Sequence, residues 1–154
     1  MKRRLVEMEI TPKNFAEQIS KKVLRIACPP IKADASKLQG SSLAALVDGT
    51  LYCNPDLKSW DVYFSIAHEL RHVWQMKKHR FTYFKDYKTR EDLSVTEYNN
   101  QSAELDANAF GALIMEVTFG VQPRFVGLDE ATKKKIFALS ERLNNEYLIN
   151  GYFK

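Results

Sequence analysis

Residues 67–75 read Ala-His-Glu-Leu-Arg-His-Val-Trp-Gln, and this stretch restricts the fold more than any other. Its His68-Glu69-x-x-His72 spacing gains meaning on a helix, where residues four apart share a face and two imidazoles reach one point. Val62, Phe64, Ile66, Leu70, Val73 and Trp74 make the surrounding segment amphipathic, so the helix is expected to lie against a core. Two neutral imidazoles supply half of a tetrahedral zinc site. Glu69 falls about 100° further round the helix, at the edge of that face. There it can take a proton from a water at the metal without being a ligand. The chain has three histidines and two of them fall in this motif, which argues against an accidental pairing on a solvated helix.

The third ligand is expected from a second helix, about residues 94–119. Glu104 and Asn108 are one helical step apart, with Ala107 and Gly111 beside them. Small residues there allow two helices to approach closely, so Glu104 can complete a two-His, one-Glu set with a water in the fourth position. Asn108, one turn on, is placed to accept a proton from the outer nitrogen of a ligand histidine. Asp106 points about 160° away from Asn108 and is the weaker ligand candidate. Glu97 lies too far along to share the face of Glu104. Solvent-facing roles for Glu104 and Asn108 would leave the small Ala107 and Gly111 unexplained.

The remaining segments arrange themselves around these two helices. Thr11-Pro12 starts a first helix, about residues 12–27, with Phe15, Ile19 and Val23 at helical spacing. Cys28-Pro29-Pro30 is its expected stop. Residues 31–41 fit either a short helical turn or a brief strand. Residues 42–53 read as a β-hairpin about Asp48-Gly49. The strand just before the metal helix can offer a free edge to an extended peptide, or can merely cover the helices. Asn54-Pro55-Asp56 opens the metal helix, with Ser59 as an alternative cap, and the helix runs to about Lys78. Residues 80–93 carry aromatic and charged side chains without a period and read as a loop, either over the cleft or as a connector. A last amphipathic helix, about 129–149, is capped near Asp129 and ended by Gly151, with Ile136, Leu139, Leu143 and Tyr147 inward and packing as its role. The fold class is therefore α+β: one mostly helical domain over 1–154, with a core at about 42–119. A small antiparallel hairpin or sheet should pack on the zinc helix.

Composition removes several other classes. A chain of 154 residues can bury a core without disulfide staples. Cys28 and Cys53 form neither a disulfide framework nor a Cys-x-x-Cys pair, so a reduced, cytoplasmic protein is expected. The apolar runs are too short to cross a bilayer. Glu7 and Glu9 interrupt what would be the apolar core of a signal peptide after Met1-Lys2-Arg3-Arg4. The net charge of +4 is spread over Lys21-Lys22, Lys77-Lys78-His79-Arg80 and Lys133-Lys134-Lys135 rather than gathered with base-reading residues, so nucleic-acid binding is unsupported.

With both motifs in place, the chain resembles the ImmA/IrrE family of small zinc metallopeptidases, within the gluzincin group. The resemblance rests on Ala67-His68-Glu69-Leu70-x-His72 and on Glu104-x-x-Ala107-Asn108-x-Phe110-x-x-x-Ile114-Met115, and covers about residues 42–116. It implies that His68, His72 and Glu104 bind Zn2+ and that Glu69 is the general base. It also implies a protein substrate. Members of that family are often encoded by phages and mobile elements, where they relieve repression by acting on a helix-turn-helix repressor. One departure is Arg71, which stands where the family commonly has glycine; a side chain of that length is expected to point outwards or to fill part of the cleft.

The leading expectation is thus peptide-bond hydrolysis, with Glu69 moving the proton and a further donor stabilising the oxyanion. Tyr83, Tyr87, Tyr98 and His79 are the candidates for that donor. The alternative is a catalytically silent, zinc-stabilised binding protein that acts on a regulator by contact. A third reading, a basic accessory protein of nucleic acid, predicts salt-sensitive DNA binding without stoichiometric zinc. The oligomeric state leaves no signal in the sequence.

Overall fold

The computed structural model describes residues 10–39, 42–55 and 60–149. Helix α1 spans Pro12–Gln18 and starts as its sequence dictates, with Pro12 in the first turn and Thr11 Oγ1 accepting from the Asn14 amide at 3.1 Å. It widens into a π-helical turn over Ile19–Leu24, and Arg25 then adopts a left-handed conformation with φ of 55°. The Ile26 amide returns to the Ser20 carbonyl at 3.0 Å. This left-handed cap ends the helix at Leu24, before the Pro29-Pro30 pair and before the expected residue 27. Phe15, Ala16, Ile19, Val23 and Leu24 are buried and anchor the segment.

Residues 31–37 contain both structures that the sequence left open: strand β1 (Ile31–Ala33) and a 3-10 turn (Ala35–Lys37). Strands β2 (Ala44–Val47) and β3 (Thr50–Cys53) form the expected hairpin. Asp48 and Gly49 both have positive φ, 49° and 81°, as a type I′ turn requires. The sheet order is β1-β3-β2. β2 runs antiparallel to β3, with Ala44 opposite Cys53 and Val47 opposite Thr50, whereas β1 runs parallel, with Ile31 opposite Leu51. The sheet is therefore mixed. The strand immediately before the metal helix, β3, is paired on both sides, so its edge is closed to a peptide; β2 is an outer strand. Leu51 and Cys53 turn inward and are fully buried.

Helix α2 (Trp60–Lys78) carries the His-Glu-x-x-His motif. Asp56 and Ser59, the proposed caps, lie outside the described residues, as does Gly151. Asp61 in the first turn of α2 and Lys77 and Lys78 in the last suit the helix dipole. The segment expected as a loop over 80–93 is instead a short helix, α3 (Arg80–Phe84), and a 3-10 turn over Arg90–Asp92. Trp74, His79 and Tyr83 pack ring against ring there and give the chain an apolar anchor without any sequence period.

The helix expected over 94–119 is two helices. α4 (Val95–Asn99) is closed at its start by a reciprocal Ser94–Glu97 capping box. The chain turns at Asn100 and Gln101, and α5 (Ser102–Phe119) begins. Gln101 ties both backbone groups of Lys88, at 2.7 and 3.0 Å, while Asn100 bonds Thr132 and Lys135. These side-chain bonds fix the break. Helix α6 (Glu130–Ile149) follows, with Thr132 bonded to the Asp129 carboxylate before it. α5 packs against α2 on one side and α6 on the other, and is buried nearly all round. The polar Glu104, Asp106 and Asn108 are thereby carried into the interior. Among the described residues, no helix is long and apolar enough to cross a membrane.

Candidate metal centre

Close approach of α2 and α5 is what builds the site. Gly111 lies against the Phe64 ring, and Ala107 is fully buried one turn earlier. Across this contact α2 presents His68 and His72, and α5 presents Glu104. His68 Nε2 stands 3.2 Å from Glu104 Oε1, His72 Nε2 stands 3.0 Å from Glu104 Oε2, and the two Nε2 atoms are 3.1 Å apart. One ligand atom from each residue lies within 4.8 Å of the others, so His68, His72 and Glu104 can hold a metal ion.

The outer ring nitrogens decide which face of each imidazole is offered. Asn108 Oδ1 lies 2.9 Å from His68 Nδ1, and Gln75 Oε1 lies 2.8 Å from His72 Nδ1. Both amide oxygens can only accept, so both Nδ1 atoms donate. In the neutral rings the lone pair is then on Nε2, pointing at the shared cluster. The donor chemistry fits a cation.

The electrostatics follow from the same contacts. Burial works against a charged His72, but the Glu104 carboxylate overcomes it and raises the group to about 9. Burial likewise works against a charged Glu104, yet bonds from His68 and His72 hold it well below the usual carboxylate range. Glu69 is half-buried beside them. Desolvation pushes its carboxyl up, against the pull of His68 and His72. A raised carboxyl in this position suits proton transfer.

The four aromatic donor candidates divide into two groups. Tyr87 donates to Glu104 Oε2 at 2.7 Å, and its hydroxyl is 3.0 Å from that of Tyr98. Burial, the Tyr98 bond and Glu104 together push Tyr87 far up, and burial with the Glu104 charge raises Tyr98. Tyr83 and His79 gather instead with Arg71, Trp74 and Asp106 around a cavity of about 290 Å³. Burial and the Asp106 charge push Tyr83 up to about 12.

Arg71 takes neither of its expected positions. It is 2% exposed and turns into the protein rather than into solvent or cleft. Its Nε and Nη2 bond the two Asp106 oxygens at 2.7 and 3.1 Å, Nη1 reaches the Tyr147 hydroxyl at 2.6 Å, and the guanidinium stacks 3.7 Å from the Trp74 ring centroid. Burial opposes its charge, but Asp106 more than compensates and raises it. Sequence reasoning missed Gln75, although its position three residues after His72 on one helix was a usable signal. It also missed Tyr147, for which a residue 76 positions from Arg71 gives no local cue.

Comparison with protein-family models, with curated proteins and with solved structures gave no match. The functional reading therefore rests on the site itself.

Proposed function

We propose that this chain is a zinc metalloendopeptidase of the His-Glu-x-x-His type that cleaves a protein substrate, with a transcriptional repressor or other regulator encoded nearby as the first substrate to try. The observation that carries this reading is the convergence of His68, His72 and Glu104 from two helices, with Glu69 next to them. Neighbouring ligands of a tetrahedral zinc are about 3.3 Å apart when its bonds are 2.0–2.1 Å. The two Nε2 atoms, 3.1 Å apart, are close to that spacing, and each lies 3.0–3.2 Å from a different oxygen of Glu104. A bound zinc would supply Lewis-acid polarisation of the scissile carbonyl and acidification of a water.

The chain's own groups do the rest. Glu69 takes the proton of the attacking water, and its raised carboxyl then returns that proton to the leaving amine. Asn108 and Gln75 keep the two imidazoles oriented. Tyr87 or Tyr98 donates to the oxygen on which charge develops. The outer edge of β2, which no strand among the described residues pairs and which packs beside α2, offers backbone groups to an extended peptide.

Elemental analysis of the purified chain beside Glu104→Ala tests the centre, and Glu69→Gln tests the chemistry. About one zinc per chain, lost in Glu104→Ala, is expected, with Glu69→Gln retaining metal and losing hydrolysis. Undiminished cleavage by Glu69→Gln would end the mechanism. Partner binding without any cleavage, surviving in Glu69→Gln, would favour a silent binding protein instead.

A further inference from the structure

The least obvious feature of the centre lies behind it. His72 is held from the rear by Gln75, and Gln75 is itself fully buried and fully committed. Its Nε2 donates to the Ala103 carbonyl at 3.0 Å and to Asp106 Oδ2 at 2.8 Å. Both amide protons are therefore used. Turning the amide over would set Gln75 Oε1 against two acceptors at a position closed to bulk solvent. Only Oε1 can face His72 Nδ1.

Asp106 is fixed in its turn. The two-pronged bond from Arg71 sets the plane of the carboxylate, and Arg71 is clamped between Trp74, Phe110 and the Tyr147 hydroxyl. The chain of contacts runs Tyr147–Arg71–Asp106–Gln75–His72 and joins α6 to a metal-site ring through buried polar atoms. We propose that Arg71, Asp106 and Gln75 are positioning residues that lock His72 in the tautomer with Nδ1 protonated and Nε2 free for metal. This assigns a purpose to the arginine between the two histidines. His68 has a simpler support, one amide oxygen from Asn108.

The inference rests on the metal-site reading above, and the test separates the two. Zn2+ affinity of the full chain is measured by competition with a chromogenic chelator. The His72 ring is followed by 15N NMR in the zinc-loaded protein. Gln75→Met keeps length and volume while removing the amide. It should weaken Zn2+ binding about 10–100-fold and abolish the protected Nδ1–H signal, with helical circular dichroism unchanged. Gln75→Glu keeps an acceptor for His72 Nδ1 but turns its second oxygen on the Ala103 carbonyl and Asp106 Oδ2. Paired with Asp106→Asn, whose amide can donate to that oxygen, it should recover part of the affinity that Gln75→Met loses. Asp106→Asn frees the Gln75 amide to turn and should also weaken binding, so it serves as the reading if Gln75→Met does not fold. Wild-type protein that takes up no Zn2+ removes the metal site and the inference together. Wild type that loads normally, with Gln75→Met binding as tightly and keeping the protected Nδ1–H signal, overturns the inference alone.

Discussion

Gly111 lies so near Phe64 that a Cβ placed on it would stand 2.7 Å from Phe64 Cε1. The ring cannot simply move off, because it packs edge-on against Phe125 and lies beside His68, with centroids 5.4 and 6.1 Å away. Gly111→Ala therefore forces α5 away from α2 or pushes Phe64 towards a metal-site histidine. Overpacking costs about 1–3 kcal/mol, and the better helix propensity of alanine offsets about 1 kcal/mol of it. A net loss of about 1 kcal/mol in chemical denaturation is expected, with weaker metal uptake. A variant more stable than the parent would show that the helices have slack at this point.

The Arg71–Asp106 pair is buried, with side chains 3% and 12% exposed. Removing one member leaves the other charged in the interior. Arg71→Met or Asp106→Leu alone should destabilise the fold by about 3–5 kcal/mol. The double variant should recover most of that loss, since two apolar side chains strand no charge. Denaturation of the four proteins forms a complete cycle. Equal losses for the singles and the double would mean that the pair contributes through packing on Trp74 rather than through charge.

What the sequence revealed, and what it hid, follows from the range of each interaction. The Asp48-Gly49 turn, the end of α2 at Lys78 and the common face of Glu104 and Asn108 are set by residues at most four apart, and each was readable. The cap of α1 at Arg25 was not, because a left-handed arginine has no side-chain signature there. Nor was the break before α5, since Asn100 and Gln101 are tolerated in helices and act here through Thr132, Lys135 and Lys88. Arg71 is the sharpest case. A charged residue in an exposed-looking helix position reads as surface until Asp106 and Tyr147, 35 and 76 residues away, are placed around it.

The metal-free centre should respond to pH in opposite senses from its two sides. His72 rises from an ordinary 6.5 to about 9 on folding, so its contribution is complete below about pH 6.5 and disappears as pH rises through 9. Glu104 is depressed, so its contribution is present above the ordinary value of 4.5 and is lost on acidification. Apoprotein stability should then be greatest between about pH 4.5 and 6.5 as far as this pair is concerned. Zinc needs the neutral imidazole. Its apparent affinity should climb about tenfold per pH unit from 7 towards 9, with release of about one proton. Calorimetric titration in two buffers of different ionisation enthalpy measures that proton directly, and a proton count of zero would contradict a charged His72 in the apoprotein.

Tyr87 connects the segment before α4 to the centre through its bond to Glu104 Oε2. If its hydroxyl serves the developing oxyanion, its loss should act on turnover rather than on metal content. Tyr87→Phe should keep about one zinc per chain and lower kcat on the order of 100-fold. Tyr98→Phe should have a smaller effect if Tyr98 acts through Tyr87, whose hydroxyl is 3.0 Å away. The comparison is made on a single peptide substrate, with metal content measured on the same samples. A fall in zinc content parallel to the fall in rate would make Tyr87 a support for Glu104, and a larger effect at Tyr98 would transfer the oxyanion role to that residue.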